Sequence, residues 1–320
     1  MTASPTQAAA PPSLARAIAS MVAAIFLFSS MNAMIKWLGN TYPVSQIVFF
    51  RAVFALVAIW PLIAAAGGIA SLRTNRPWGH AWRCVAGVAA MSCGFTAITL
   101  LPLANVVALG FTAPLFTTLL GVLILGETVR WRRTAALIVG FIGVMIMVRP
   151  GFADGGIAEA GLAAGVLPLG TVLALTGACL AALAMISIRR LSSTEPSTTI
   201  VFYFMVAAAV ASGLVLPFQF VMPDLMDAVL LVAIGLIGGV AQVLLTQAYR
   251  QAPVAVIAPF DYTAMIWATG WGFIIWGEVP DLYVVAGALV VVASGVYITL
   301  REIKLGVTTA PPAKVRGELP

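Results

Sequence analysis

A polytopic, all-α membrane fold of ten transmembrane helices, arranged as two inverted five-helix repeats, is what this sequence predicts. Three observations carry the prediction: charge is scarce, apolar runs of spanning length recur at short intervals, and one stretch of the chain matches another without gaps. Only 9% of the 320 residues are charged and 62% are hydrophobic, with a mean hydropathy of +1.06. A soluble domain of this length needs far more charge to cover its surface. The 29 glycines and 19 prolines lie inside the apolar runs rather than in a polar low-complexity tract, which suits membrane helices.

A helix needs about 20 mostly apolar residues to cross about 30 Å of hydrocarbon. Runs of this kind fall at 16–38, 46–66, 81–101, 104–125 and 131–149, and again at 167–189, 198–217, 227–248, 254–276 and 282–300. The first is too long for a signal-peptide core and lacks a basic start, so it reads as a retained span. Residues 1–15, rich in Ala, Pro, Ser and Thr, read as a disordered cytoplasmic N-terminus. Residues 150–166 read as an external linker and 302–320 as a cytoplasmic tail.

Orientation follows from the basic residues. With the N-terminus inside, Arg16, Arg73, Arg76, Arg83, Arg130, Arg132, Arg133, Arg189, Arg190, Arg250, Arg301, Lys304, Lys314 and Arg316 fall at cytoplasmic ends and loops. Arg149 falls at an outer end, and Lys36 and Arg51 fall within spans. Asp154, Glu159, Asp224, Asp227 and Asp281 populate the outer side. The prediction is N-in and C-in, in the cell inner membrane. The same distribution explains the net charge of +6 without a nucleic-acid partner.

Residues 96–127 match 247–278 with identities at Ala97/Ala248, Pro102/Pro253, Ala104/Ala255, Thr112/Thr263, Ala113/Ala264, Thr118/Thr269, Gly121/Gly272, Ile124/Ile275, Gly126/Gly277 and Glu127/Glu278. Residues 16–149 and 167–301 are thus two copies of one unit. Five helices per copy is an odd number, so the second copy lies upside down. Inverted repeats recur in secondary transporters, with the solute held near mid-membrane between the copies.

The stretch LPLANVVALGFTAPLFTTLLGVLILGE, its second form QAPVAVIAPFDYTAMIWATGWGFIIWGE, and the first helix with Lys36 near its end and Arg51 early in the second together resemble the EamA-type domain. Two such domains make a ten-helix member of the drug/metabolite transporter superfamily. The resemblance covers roughly residues 16–301. It implies a transporter of a small organic metabolite, similar to the bacterial branch that holds S-adenosylmethionine uptake, riboflavin uptake and metabolite export proteins. The second copy departs from the first at two points: Ala113-Pro114 becomes Ala264-Met265, and Gly110 becomes Asp261.

Ionisable groups inside a membrane cost about 2.5–3.5 kcal/mol and face a cavity or a partner. Asp261, about 12 Å into the ninth span by helical rise and two residues after Pro259, is the candidate proton- or cation-binding carboxylate; its alternative is a structural hydrogen-bonding role. Ser29, Asn32 and Lys36 share one face of the first helix, where Lys36 either lines the pathway or snorkels. Arg51 either holds an anionic solute group or has a structural partner. Gln242, Thr246 and Tyr249 share a face of the eighth span with Gly235 and Gly238. Thr96, Thr112, Tyr262 and Trp267 complete the pathway candidates. Glu127 and Glu278 end their spans in matching Gly-Glu turns and read as structural turn residues. Trp60, Trp78, Trp82 and Trp131 suit an interfacial belt.

Cys84, Cys93 and Cys179 form no CxxC pair and read as small buried residues; His80, in a cytoplasmic loop, can anchor neither a metal nor a triad. No phosphate loop, HExxH or GxSxG motif occurs. A non-enzyme without catalytic residue, metal or cofactor is expected, its partners being a small-molecule solute and the bilayer. A homodimer is compatible with this reading. The rival reading, a membrane-embedded enzyme or sensor subunit, would require a catalytic constellation or a signalling domain.

Overall fold

The computed structural model describes residues 14–125, 131–148, 169–192, 194–251 and 257–304, and the regular structure among them is helical throughout. The helices are α1 (Leu14–Leu38), α2 (Val44–Ala65), α3 (Pro77–Leu100), α4 (Leu103–Gly110), α5 (Ala113–Leu125), α6 (Trp131–Val148), α7 (Leu169–Leu191), α8 (Ser197–Gln219), α9 (Leu225–Gln251), α10 (Ala264–Trp276) and α11 (Leu282–Lys304). Short 3₁₀ segments cover Gly68–Leu72 and Ala258–Thr263. Among the described residues, seven helical stretches are long and apolar enough to cross a membrane, from Ala15–Leu38 through Leu225–Tyr249, and shorter apolar helices cover Ala135–Ile146 and Leu282–Tyr297.

Prolines set several starts. Pro43 and Pro196, with φ/ψ of −62°/144° and −61°/145°, hold the chain extended just before α2 and α8. Pro77 opens α3 from its first position, four residues before the start of the apolar run. His80 is therefore a buried helical residue, 3% exposed, and not the loop residue the sequence reading made it. Arg83, assigned to a cytoplasmic end by charge, is likewise buried inside α3. The fourth apolar run is broken between α4 and α5, and the ninth passes through the Ala258–Thr263 segment before α10 begins.

The helices pair across the two copies. α1 packs on α9 and α3 on α7, α2 packs on α8, α6 on α11, and α4 on α10. Each pair joins a helix of one copy to a helix of the other. Residue-level contacts are reciprocal. The Ser294 hydroxyl donates to the Ala136 carbonyl at 2.5 Å, and a side chain at Gly143 would meet the Gly287 carbonyl at 2.9 Å. Ser294 aligns with Gly143 and Gly287 with Ala136, both offsets being 151 (294 − 143 and 287 − 136).

A second aligned stretch emerges at the first turn of each copy. Residues 35–49 and 188–202 share Ile, Leu, Thr, Pro, Ile, Val and Phe at 35/188, 38/191, 41/194, 43/196, 47/200, 48/201 and 49/202. Their side chains do equivalent work. Tyr42 donates to Asp227 at 2.8 Å and Gln46 exchanges two bonds with the Val221 backbone, fixing the segment before α9. The aligned Glu195 accepts from the Thr74 hydroxyl at 2.8 Å, and Thr199 donates to the Ser71 carbonyl at 3.0 Å, fixing the segment before α3. The carboxylate beside the Tyr42 phenol raises its pKa above the usual range.

Among the described residues the main core cluster reaches from Met31, Ile35 and Leu38 through Ile47, Phe95 and Leu103 to Ala268 and Val291, with smaller clusters around Met21 and Ile257 and around Ile59 and Ile63. Glycines let the backbones close. Gly235 and Gly239 of α9 lie against Phe50, Phe54, Ala55 and Ala58 of α2, the close approach small residues permit in membranes. Trp60, Trp78 and Trp82 are all exposed; the Trp131 side chain lies outside the described residues, as do Glu127, the 150–166 linker, residues 1–13 and residues 305–320, while α1 and α11 reach into the predicted termini at 14–15 and 302–304.

Candidate functional site

The site is built on two helix breaks at aligned positions. In copy one α4 stops at Gly110 and α5 starts at Ala113; in copy two the 3₁₀ segment stops at Thr263 and α10 starts at Ala264. Thr112 and Thr263, which are aligned, each turn the hydroxyl back on the carbonyl three residues earlier, Leu109 at 2.6 Å and Phe260 at 2.7 Å. Pro114 follows one break and Pro259 precedes the other; a proline supplies no amide donor, so the local ladder is opened at both places. Such interruptions are tolerated at membrane depth where the backbone is buried in protein or lines a cavity.

Phe111 and Tyr262 are aligned with each other (262 − 111 = 151). Their rings meet edge to face, 5.1 Å between centroids. A residue that touches its own counterpart lies beside the pseudo-twofold axis, so both breaks converge there. The neighbouring aligned pair, Gly110 and Asp261, is exposed on both sides. A side chain built at Gly110 meets nothing within 4 Å. Asp261 makes no hydrogen bond or ion pair among the described residues. Counting helical rise back from Trp276 places Asp261 roughly 24 Å along the span, nearer the Tyr249 end than the Glu278 end and therefore past mid-depth.

Lys36 and Glu278 form an ion pair that joins the copies. Lys36 also donates to the Leu101 carbonyl at 2.9 Å, where α3 ends, and lies 5.1 Å from the centre of the Trp276 ring. The second Glu278 oxygen accepts the Leu103 amide at 3.0 Å, where α4 begins. Gly277 makes this possible: its φ of +68° turns the chain out of α10, a conformation that favours glycine. The cation thus sits on helix C-termini and the anion on a helix N-terminus, each on the end its charge suits. Lys36 is 8% exposed. It therefore neither snorkels nor hangs free in a pathway, and Glu278 binds across the bundle as well as ending a span.

Arg51 is buried among Met91, Met205 and Phe95. It donates to the Met91 sulfur at 2.9 Å, its guanidinium lies 5.5 Å from the Phe95 ring centre, and Nε has no partner. Arg83, missed as a site residue because its basic charge fitted a cytoplasmic end, lies 4.3 Å over Phe204 with Nε and one Nη unpartnered. Gly87 leaves the room its side chain occupies. Below it, His80 lies 3.8 Å from Glu195 and its ring meets that of Tyr203 at a tilt, 4.7 Å between centroids.

The remaining candidates disperse. Asn32 is half-buried and unbonded among the described residues, on the same helix as the buried, unpartnered Ser29 hydroxyl. Thr96 is half-buried and bonded to the Ser92 carbonyl; Thr112 is wholly buried, so it shapes the break and does not line a space. Gln242 and Thr246 line a small apolar cleft with Ile59, Ile63 and Val201, between α2, α8 and α9, away from the breaks. Gly235 and Gly238 of the same predicted stripe pack on α2 and on Met31. Trp267 packs edge to face on Phe26 at 4.9 Å, and its indole N–H, like that of Trp271 one turn on, is buried without an acceptor. The four-residue spacing of those two tryptophans was the available signal for Trp271. All three cysteines are free, and no cluster of metal-ligating side chains occurs among the described residues.

Apolar helices paired copy to copy around two aligned breaks define a multi-pass membrane protein of the repeat-built transporter class. The EamA-like transporter family matches residues 15–149 and 168–301, and the chain belongs to that family. It is 32% identical over 286 residues to the pseudopaline exporter CntI of Pseudomonas aeruginosa (strain UCBPP-PA14), covering 89% of this chain and 95% of that protein. It is 30% identical over 286 residues to a riboflavin transporter of Rhizobium johnstonii (89% and 91% covered) and 27% identical over 277 residues to an S-adenosylmethionine uptake transporter of Rickettsia prowazekii (86% and 90%). A solved crystal structure 21% identical in sequence superposes with a TM-score of 0.60 over 91% of this chain and 99% of its own, which bears on the fold alone. The protein is a small-metabolite transporter.

Proposed function

We propose that this transporter works by alternating access in the bacterial inner membrane. Its ten spans run N-in and C-in, and two inverted five-helix copies, residues 16–149 and 167–301, rock against each other about the axis at Phe111 and Tyr262. The observation that supports this most is the convergence of two broken helices on that axis with an accessible, unpartnered carboxylate, Asp261, beside it. Discontinuous helices of this kind supply exposed backbone groups and helix ends to a solute. Asp261 takes up a proton or a cationic group; Arg51, with no acid beside it among the described residues, is the complementary group for a negative one. The cargo is a small organic metabolite that a copy-to-copy cavity encloses without chemical change, and no enzymatic role is assigned.

The test is transport and growth profiling of cells with and without the protein across a panel of metabolites. The panel includes pseudopaline-, riboflavin- and S-adenosylmethionine-like compounds, because the named relatives carry these, and it reads both uptake and export. A reproducible difference for at least one compound, abolished in both directions by Asp261→Ala in folded protein, is expected. Metabolite handling identical with and without the protein overturns the proposal.

A further inference from the structure

We infer that Lys36 and Glu278 are transport residues: their ion pair, with Trp276 and the α3–α4 turn, is the latch that seals one end of the passage between the copies. The inference rests on the alternating-access reading. Lys36 belongs to copy one and Glu278 to copy two, so any motion that opens this end between the copies separates them. The pair lies at the termini of α1, α3, α4 and α10 together. Beneath it the outer pieces of the two broken spans, α4 and α10, pack on each other, with Gly272 against Glu278 and Leu103. At its side, α1 and α3 meet so closely that a methyl group at Gly39 would strike Thr99. A solute held between the copies below this end has no route past Lys36 while these contacts hold.

The chemistry suits a reversible seal. The charges are buried enough to hold, with side-chain exposures of 10% for Lys36 and 22% for Glu278, yet Glu278 keeps access to water that rehydrates it on opening. Breaking one partner of a buried pair is strongly unfavourable, whereas separating both into water is not. Charge reversal would not rebuild the latch. A carboxylate at 36 would face the Leu101 carbonyl, and an ammonium at 278 would face the Leu103 amide, both against the helix-end polarity.

The experiment uses the full chain with its three cysteines replaced by alanine and a reporter, G110C, placed where the structure has room for it. An impermeant thiol reagent is applied to right-side-out and inside-out vesicles. With the latch intact, labelling from the Lys36 side is slow and from the opposite side fast. K36M and E278Q speed labelling from the Lys36 side by about tenfold or more, the K36E/E278K reversal stays fast, and K36R stays slow. Fast labelling from the Lys36 side with the latch intact overturns the latch without reference to any charge variant. So does unchanged labelling in K36M and E278Q. A reporter inert from both sides in every form instead removes the passage itself, and with it the alternating-access reading.

Discussion

Phe111 and Tyr262 occupy the same position in the two copies and touch each other edge to face at 5.1 Å. Their neighbours Gly110 and Asp261 are likewise aligned, and both positions are exposed. Moving the carboxylate to the aligned position of the other copy, in Gly110→Asp combined with Asp261→Gly, puts it where a new side chain meets nothing within 4 Å. We expect this double variant to reach the membrane at normal levels and to recover more than half of the pH response that Asp261→Gly alone loses. pH-dependent flux of whichever panel compound responds is the measurement. No recovery in well-folded protein would tie the response to the local surroundings of Asp261.

Asp261→Asn keeps the size of the side chain and most of its hydrogen-bonding capacity but cannot titrate. Coupling requires that protonation and solute binding bias the same conformational equilibrium. The expected variant exchanges solute across a membrane at equal concentrations and fails to build a gradient when a proton gradient is imposed. Wild-type accumulation in reconstituted vesicles would leave Asp261 as a hydrogen-bonding residue only.

Gly143 faces the Gly287 carbonyl and Val290 and Val291 at 2.9–3.1 Å from where a side chain would begin. Gly143→Leu should overfill the α6–α11 contact, costing about 1–3 kcal/mol, and reduce the yield of monodisperse protein in detergent. Gly110→Ala, entering open space, should leave that yield unchanged. The contrast separates packing from passage.

Thr41 and Asn75 are both exposed and lie at opposite ends of α2 and its flanking turns. Single cysteines there, in the cysteine-free background, should react oppositely with an impermeant reagent on intact cells: T41C labelled, N75C protected until the membrane is opened. Equal labelling refutes the N-in, C-in arrangement.

Composition and apolar runs made the helices legible, because spanning length is set by the bilayer and not by tertiary context. The 96–127/247–278 match made the copies legible. The turn match at 35–49/188–202 escaped because its offset is 153 (188 − 35), two more than the first, so one ungapped register cannot contain both. The helix breaks were half visible: Pro259 marked one, while Pro114 in the equivalent region passed as an ordinary residue of a continuous span. Lys36 and Glu278 were each singled out, for different reasons, and their union was not. Periodicity reports which face a residue occupies, and no periodicity relates two helices 242 residues apart in the chain. Arg83 was misplaced because charge counting treats every arginine near a span end as solvated, whereas a glycine one turn on, Gly87, let this one fold inward.

The pairing of α1 with α9 and of α3 with α7 bears on how the chain is made. Synthesis delivers α1 first, yet the helix it packs on begins at Leu225, 187 residues after Leu38 (225 − 38). At about 5–20 residues per second, the first helix waits roughly 10–40 s in lipid before its partner leaves the ribosome. Until then Met31 and the other residues that will meet Gly238 are covered by acyl chains. The first copy, α1 to α6, is consequently an intermediate of biogenesis rather than a finished half, and its assembly is timed by the second copy's third helix.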